Sequence, residues 1–289
     1  MKNLSLFLVL TTAALLPLTS CGKSKRSTIQ NKGSDTMLEV AQKWAESYRE
    51  VKPEVAIAVT GGGSGGGITG VIDGTVDIAN CSRAMKQKEL DAAKAKNHTP
   101  MQHHVGYDGI AIFVHRDNPM PQITIEQLAQ IYADGGTATR WSDLGVKMPD
   151  GVDDTIVVVS RQSNSGTYEY FREAVLGDSG KFRLGTRDMN GSKDVVDLVQ
   201  HSRTAIGYSG LAYATPEVRM VPVVAAPGKP AVSPSIDTVI DRSYPISRPL
   251  YMYTIGEPTG EVKEYLDWIV SDTGQRLLME QGYPPLRKL

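Results

Sequence analysis

Apolar positions along this chain switch between a helical and a strand period. Met37, Val40, Ala41, Trp44 and Tyr48 recur three or four residues apart, which predicts a helix over 35–50. Residues 28–32 before it and 55–59 after it are short and β-branched, and read as strands. The alternation continues with a short helix at 68–72, a strand at 76–79, a helix at 87–95 and a strongly apolar strand at 109–115. Thr124 and Gln127 stand in capping-box spacing at the head of a helix over 124–132. A buried strand at 156–160, helices at 166–176 and 192–201, and strands at 205–208 and 249–254 follow. The stretch 259–281 is helical with one break near Asp272. Strands alternating with helices predict an α/β architecture with largely parallel sheets.

The N-terminus departs from this pattern. Lys2 precedes an apolar run from Leu4 to Leu16, which ends in Leu18-Thr19-Ser20-Cys21. The run is too short for a stable membrane span and has the layout of a secretory signal. Its end resembles the lipobox of bacterial lipoproteins. That resemblance implies a signal peptide over 1–20, cleavage before Cys21, lipidation (palmitate included) of Cys21, and a polar tether over 21–26. The mature chain is then expected outside the cytoplasmic membrane, in the periplasm or at the cell surface.

About 260 residues remain, enough for one large core or two lobes. A net charge of −1 excludes the broad basic face that a nucleic-acid binder presents, so no nucleic-acid partner is expected. The chain has two cysteines, so with Cys21 lipidated Cys81 has no partner and reads as a small core residue. His103 and His104 are adjacent, point to opposite faces of a strand, and do not suit one metal ion. No metal and no cofactor are expected.

Candidate chemistry lies at three strand-to-helix turns rich in Gly, Ser and Thr. They are Gly33-Ser34-Asp35-Thr36, the glycine stretch around Ser64 at 60–67, and Ser160-Arg161-Gln162-Ser163-Asn164-Ser165-Gly166-Thr167. At a helix start the first N–H groups lack internal partners and the dipole favours negative charge. Hydroxyls add donors, and Arg161 offers a two-pronged grip to an oxyanion. For a single turn, plain N-capping is the competing reading. Gly62-Gly63-Ser64-Gly65-Gly66 also satisfies the hydrolase G-x-S-x-G pattern, and Gly61, Gly63 and Gly66 a dinucleotide fingerprint. A glycine run meets both patterns trivially, and no P-loop lysine follows it.

These turns, with Ser82-Arg83, Arg140-Trp141-Ser142-Asp143-Leu144 and Ala205-Ile206-Gly207-Tyr208, resemble the PstS-type phosphate-binding proteins of bacterial phosphate ABC importers. The resemblance spans the mature chain. It implies a type II periplasmic-binding-protein-like fold, two α/β lobes joined by two crossing strands with the ligand in the cleft. Lobe one would be 27–106 plus 246–289, and lobe two 107–245. It implies a monomeric, non-enzymatic receptor that takes inorganic phosphate and delivers it to ABC permease subunits. Its ligand set carries over to Ser34, Asp35, Thr36, Ser64, Ser82, Arg83, Arg161, Ser165, Gly166 and Thr167. Well-known members carry an Asp after the serine at position 82, accepting the proton of phosphate; this chain has Arg83. Asp35 is expected to replace that acceptor, with Arg83 balancing its charge. The alternatives are another oxyanion (sulfate, molybdate or tungstate) and a serine hydrolase using Ser64.

Overall fold

The computed structural model describes residues 27–289, and its strands carry the apolar runs named above. The signal, tether and lipidation expectations, Cys21 included, lie outside the described residues. The elements run β1 (Ser27–Gly33), a 3₁₀ turn (Asp35–Met37), α1 (Leu38–Val51), β2 (Val55–Thr60), α2 (Gly63–Ile72), β3 (Ile78–Cys81) and α3 (Gln87–Ala95). Next come β4 (Pro100–His115), β5 (Ile123–Thr124), α4 (Ile125–Tyr132), β6 (Val157–Arg161) and α5 (Gly166–Phe171), which continues as a π-helical turn (Arg172–Leu176). The chain goes on through β7 (Arg187–Met189), α6 (Ser192–Gln200), β8 (Ala205–Gly210), β9 (Val218–Val221), β10 (Val223–Val224) and β11 (Ala231–Val232). It closes with α7 (Ile236–Ile240), β12 (Ser247–Ile255), α8 (Gly260–Val270) and α9 (Asp272–Glu280).

The main sheet is mixed, not largely parallel. Its order is β2-β1-β3-β12-β4-β8-β6-β7, with β9 also on β4. Two parallel wings, β2-β1-β3 and β8-β6-β7, are joined through β12 and β4, which pair antiparallel with each other and with their outer neighbours. A β-bulge between Leu250 and Tyr251 shifts the β12–β4 register. Bulges bend and twist the strand that carries them, which suits a sheet curling from one wing to the other.

Two hydrophobic cores flank this junction. One spans Ile110 to Ile246 and includes Phe113, Tyr132, Trp141, Phe171 and Tyr208. The other draws on Ile29, Trp44, Tyr48 and Val105 early in the chain and on Leu250, Tyr265 and Tyr283 late in it. Trp44 fixes α1 there by donating its indole N–H to Gly274 O at 2.8 Å. Cys81 is fully buried in a smaller cluster with Ile68, Val71 and Tyr253, as its core reading expected, and burial pushes its thiol pKa up. The chain passes between the two cores in β4 and in β12.

The glycine run is more ordered than its composition suggests. Helix α2 begins inside it, at Gly63. A Cβ at Gly67 would strike Lys32 O and come within 2.8 Å of Gly33 Cα, so only glycine lets α2 lie this close to β1. Strand β4 begins nine residues before its apolar half, because cross-strand pairing with β12 holds its polar start. His103 Nε2 meets Thr254 Oγ1 at 3.0 Å and His104 Nε2 meets Gly106 O at 2.9 Å. Burial lowers both imidazole pKa values, which favours the neutral ring.

Candidate functional site

The three turns converge between the two cores. Ser34 Oγ donates to Ser82 Oγ at 2.9 Å, and Ser64 Oγ lies 3.3 Å from Ser82 Oγ and accepts from Ser82 N at 3.1 Å. Across from them, Thr167 Oγ1 meets Thr36 Oγ1 at 2.8 Å. Gly166 faces the serines so closely that a Cβ there would lie 2.5 Å from Ser82 Oγ and nearer still to Ser64 Oγ. Ser34, Thr36, Ser64, Ser82, Arg161, Ser165 and Thr167 are all buried. Nine of the ten residues carried over as ligands therefore share one small volume rich in hydroxyls.

Packing and hydrogen bonds hold each turn in place. On the second wing, Tyr208 stacks on Phe171 with ring centroids 3.8 Å apart, and its hydroxyl meets Ser160 Oγ at 2.8 Å. Ser165 caps α5, its Oγ accepting from Thr167 N at 3.1 Å and Tyr168 N at 3.4 Å. Its hydroxyl hydrogen stays available as a donor. Thr36 O is held from both sides, accepting from the hydroxyl of Tyr283 and from that of Tyr213, which packs on the second core. Some helix-start amides expected to face an anion are already taken. Gly65 N donates to Asn164 O at 3.0 Å and Gly62 N to Asp35 Oδ1 at 2.9 Å. Hydroxyls thus carry more of the donor capacity than the sequence reading assigned them.

Arg161 lies at the end of β6 with its side chain fully buried. Its Nη2 donates to Asn190 O at 2.7 Å and to Asp35 Oδ2 at 3.2 Å, its Nη1 to Ser192 Oγ at 3.0 Å, and its Nε to Met189 O at 3.3 Å. Burial lowers its pKa, with the Asp35 charge opposing that, and an arginine remains a cation throughout. Asp35 makes no helix-capping hydrogen bond. Each of its oxygens accepts one bond and retains capacity for another.

Arg83 is the exception, and the expectation that it balances Asp35 is corrected. Its guanidinium is bound two-pronged by Glu89, at 2.8 and 2.7 Å, and donates to Ala84 O at 2.8 Å. Glu89 is one turn into α3 and also takes Lys86 N, so the loop ties Arg83 down locally. The cation facing Asp35 is Arg161. Sequence reading also missed Asp108 and Arg248, a fully buried ion pair at 2.7 Å on the two crossing strands. Burial raises the Asp108 pKa and the facing guanidinium opposes that rise. Arg248 Nη2 reaches Thr36 Oγ1 at 3.2 Å and Thr167 Oγ1 at 2.9 Å.

Two alternative chemistries lack a constellation. The partners of Ser64 Oγ are Ser82 atoms, whereas His115 and His201 hydrogen-bond locally to Asp117 N and Asp197 O. Among the described residues no cluster of His, Cys, Asp or Glu has the grouping of a metal site.

Comparison with known proteins points the same way. The PBP superfamily domain matches residues 19–273. The phosphate-binding protein PstS of Pseudomonas aeruginosa is 34% identical over 269 residues, covering 88% of this chain and 81% of that protein. A Clostridium perfringens protein assigned as a phosphate ABC transporter substrate-binding protein, crystallised with bound phosphate, superposes with a TM-score of 0.79 at 30% identity, covering 90% of this chain and 100% of that one. An ABC-type phosphate transport receptor from Vibrio cholerae superposes with a TM-score of 0.70 at 28% identity, over 89% and 99%.

Proposed function

The chain belongs to the PstS-type phosphate-binding protein family of the PBP superfamily, and from that premise we propose that it binds one inorganic phosphate ion outside the cytoplasm and hands it to an ABC-type import permease. The observation that carries this is the gathering of the buried Ser34, Thr36, Ser64, Ser82, Ser165 and Thr167 hydroxyls, with the buried Arg161 guanidinium tied to the first turn through Asp35. Such a set suits a small tetrahedral oxyanion with many lone pairs. Closure excludes water, and each charge-assisted bond is stronger for it. Isothermal titration with phosphate, sulfate, molybdate and tungstate tests the reading. Phosphate should bind tightest, and a preference for any of the other three contradicts it.

The two cores are the two lobes, 27–106 plus 246–289 and 107–245, moving about β4 and β12. The protein is a monomer held to the membrane through a lipid on Cys21. No helix among the described residues is long and apolar enough to cross a membrane. Mass spectrometry of the membrane fraction should find Cys21 acylated.

Asp35 is the acceptor for the proton that phosphate keeps near neutral pH. A carboxylate welcomes that O–H and repels fully ionised sulfate. In Asp35→Asn the preference for phosphate over sulfate should narrow by about tenfold or more. Unchanged discrimination in paired titrations removes Asp35 from the role.

Lys86 and Glu169 form a latch between the lobes, 2.7 Å apart and partly buried. Lys86→Ala favours the open form and should weaken phosphate binding by about fivefold, the scale of a partly exposed ion pair. Burial pushes the Glu169 pKa up, but bonds from Lys86 and Arg172 outweigh that and leave it below the ordinary glutamate value. The latch is therefore intact above the ordinary glutamate pKa and is lost as pH falls through the depressed one. Wild-type affinity in Lys86→Ala at low salt shows that the pair does not hold the closed form.

A further inference from the structure

Asp108 on β4 and Arg248 on β12 are directly opposed in register where the chain passes between the two cores. Both side chains are 0% exposed. Arg248 Nε and Nη2 donate to the same Asp108 oxygen, Oδ2, at 3.0 and 2.7 Å. Nη2 has two hydrogens; with one directed at Asp108, the other is shared between the hydroxyl oxygens of Thr36 and Thr167, which are 2.8 Å from each other. Nη1 has no acceptor among the described residues, and Tyr170 covers the guanidinium with its ring centroid 5.9 Å from Cζ. Thr36 belongs to the first turn and Thr167 to the third, so one guanidinium nitrogen touches one hydroxyl from each side of the cleft.

A buried ion pair is a poor strut. The desolvation of two charges offsets most of their attraction, and apolar residues of similar volume hold strands together as well or better. Proton accounting shows what this pair does that an apolar pair would not. A guanidinium only donates. When it donates to a threonine oxygen, it occupies a lone pair there and leaves the hydroxyl hydrogen for another acceptor. Thr36 and Thr167 have one such hydrogen each. At most one of these is used between the two hydroxyls, and both become donors when an acceptor-rich ligand joins them. Asp108 keeps Arg248 in place, because two bonds to one oxygen fix the plane of the fork.

Resting on the phosphate reading, we infer that Arg248, held by Asp108, is a positioning residue of the anion site: it turns the Thr36 and Thr167 hydroxyls into a matched pair of donors. The pair forms only when the two sides of the cleft meet, so Arg248 also links ligand binding to closure. Its contribution passes through the two hydroxyls and disappears without them. That separates it from a residue that only holds β4 to β12, whose removal would harm every variant alike.

A double-mutant cycle reads the difference. Phosphate affinity is measured by isothermal titration for the full-length protein, Arg248→Met, Thr167→Val and the double variant, with thermal midpoints recorded without phosphate. Each single change should weaken binding by about tenfold to a hundredfold, the range for a charge-assisted bond. Relative to Thr167→Val alone, the double variant should be weaker by clearly less than the factor Arg248→Met costs in the wild type, because only the Thr36 share of the Arg248 contribution is left to lose. Losses that multiply, or wild-type affinity in Arg248→Met, overturn the inference. Should Arg248→Met fail to fold, Arg248→Lys replaces it in the cycle; lysine keeps the charge facing Asp108 but loses the fork, and the same coupling is expected. A wild-type protein that ignores phosphate overturns the functional reading and this inference together. Normal wild-type binding with multiplying losses overturns this inference alone.

Discussion

Replacing Arg161 by alanine should weaken phosphate binding by about a hundredfold or more and leave the protein folded. The guanidinium is fully buried, and backbone carbonyls of Met189 and Asn190 with the Ser192 hydroxyl fix its orientation. It is thus prepared for an anion before one arrives, with little ordering cost on binding. Its removal has a second effect. Asp35 loses its counter-charge and faces the incoming anion with a net negative charge. Losing one charge-assisted hydrogen bond to the anion costs about 1.5–3 kcal/mol of affinity. Arg161→Lys retains the charge without the planar fork and should fall between alanine and wild type. Wild-type affinity in Arg161→Ala would mean that the turn at 160–167 is not the site.

Gly166→Ala separates closure from folding. Gly166 is the first residue of α5 and has no positive φ, so alanine fits its backbone and stabilises by about 0.4–1 kcal/mol through the unfolded chain. The second wing should therefore be as stable as before, or slightly more so. A Cβ at 166, however, would enter the volume of the Ser64 and Ser82 hydroxyls, which belong to the opposite wing. The cleft must then stay ajar or the serines must turn away, and either removes donors from the anion. Phosphate affinity should fall by about a hundredfold, as for losing one or two charge-assisted bonds. The thermal midpoint without phosphate should not fall. A lowered midpoint with wild-type affinity would reverse the assignment and make Gly166 a packing residue of its own wing.

What could be read from the chain alone follows the range of the forces involved. Local periodicity located α3 at 87–95 with the same bounds, and placed the break between α8 and α9 one residue from Ser271. Both are set by neighbours within a turn or two. Strand β7 (Arg187–Met189) has no apolar pattern and exists because it pairs with β6, yet Met189 O and Asn190 O at its end hold Arg161. The assignment of Arg83 failed because a ligand position was carried over from the family to a residue of opposite charge, whereas Glu89 six residues later binds the guanidinium locally. Asp108 and Arg248 are 140 residues apart in sequence, and no local rule joins them. A signal was present nonetheless. Asp108 is the one Asp, Glu, Lys or Arg of β4 and Arg248 that of β12, and a charge buried in a strand calls for a partner of opposite sign. The mixed sheet was missed for a related reason. Alternating helices and strands specify parallel wings but do not reveal how two long strands cross between them.

The account's central claim is that hydroxyls from three turns and one guanidinium surround a single ion. A crystal grown with phosphate tests it most directly, through the position of the phosphorus peak in the difference density. The peak should lie within hydrogen-bonding reach of Thr36, Ser64, Arg161 and Thr167 together. A peak elsewhere would contradict the claim, for example in the cavity of about 870 Å³ lined by Tyr107, Arg242, Tyr251 and Met279, with no density among the turns.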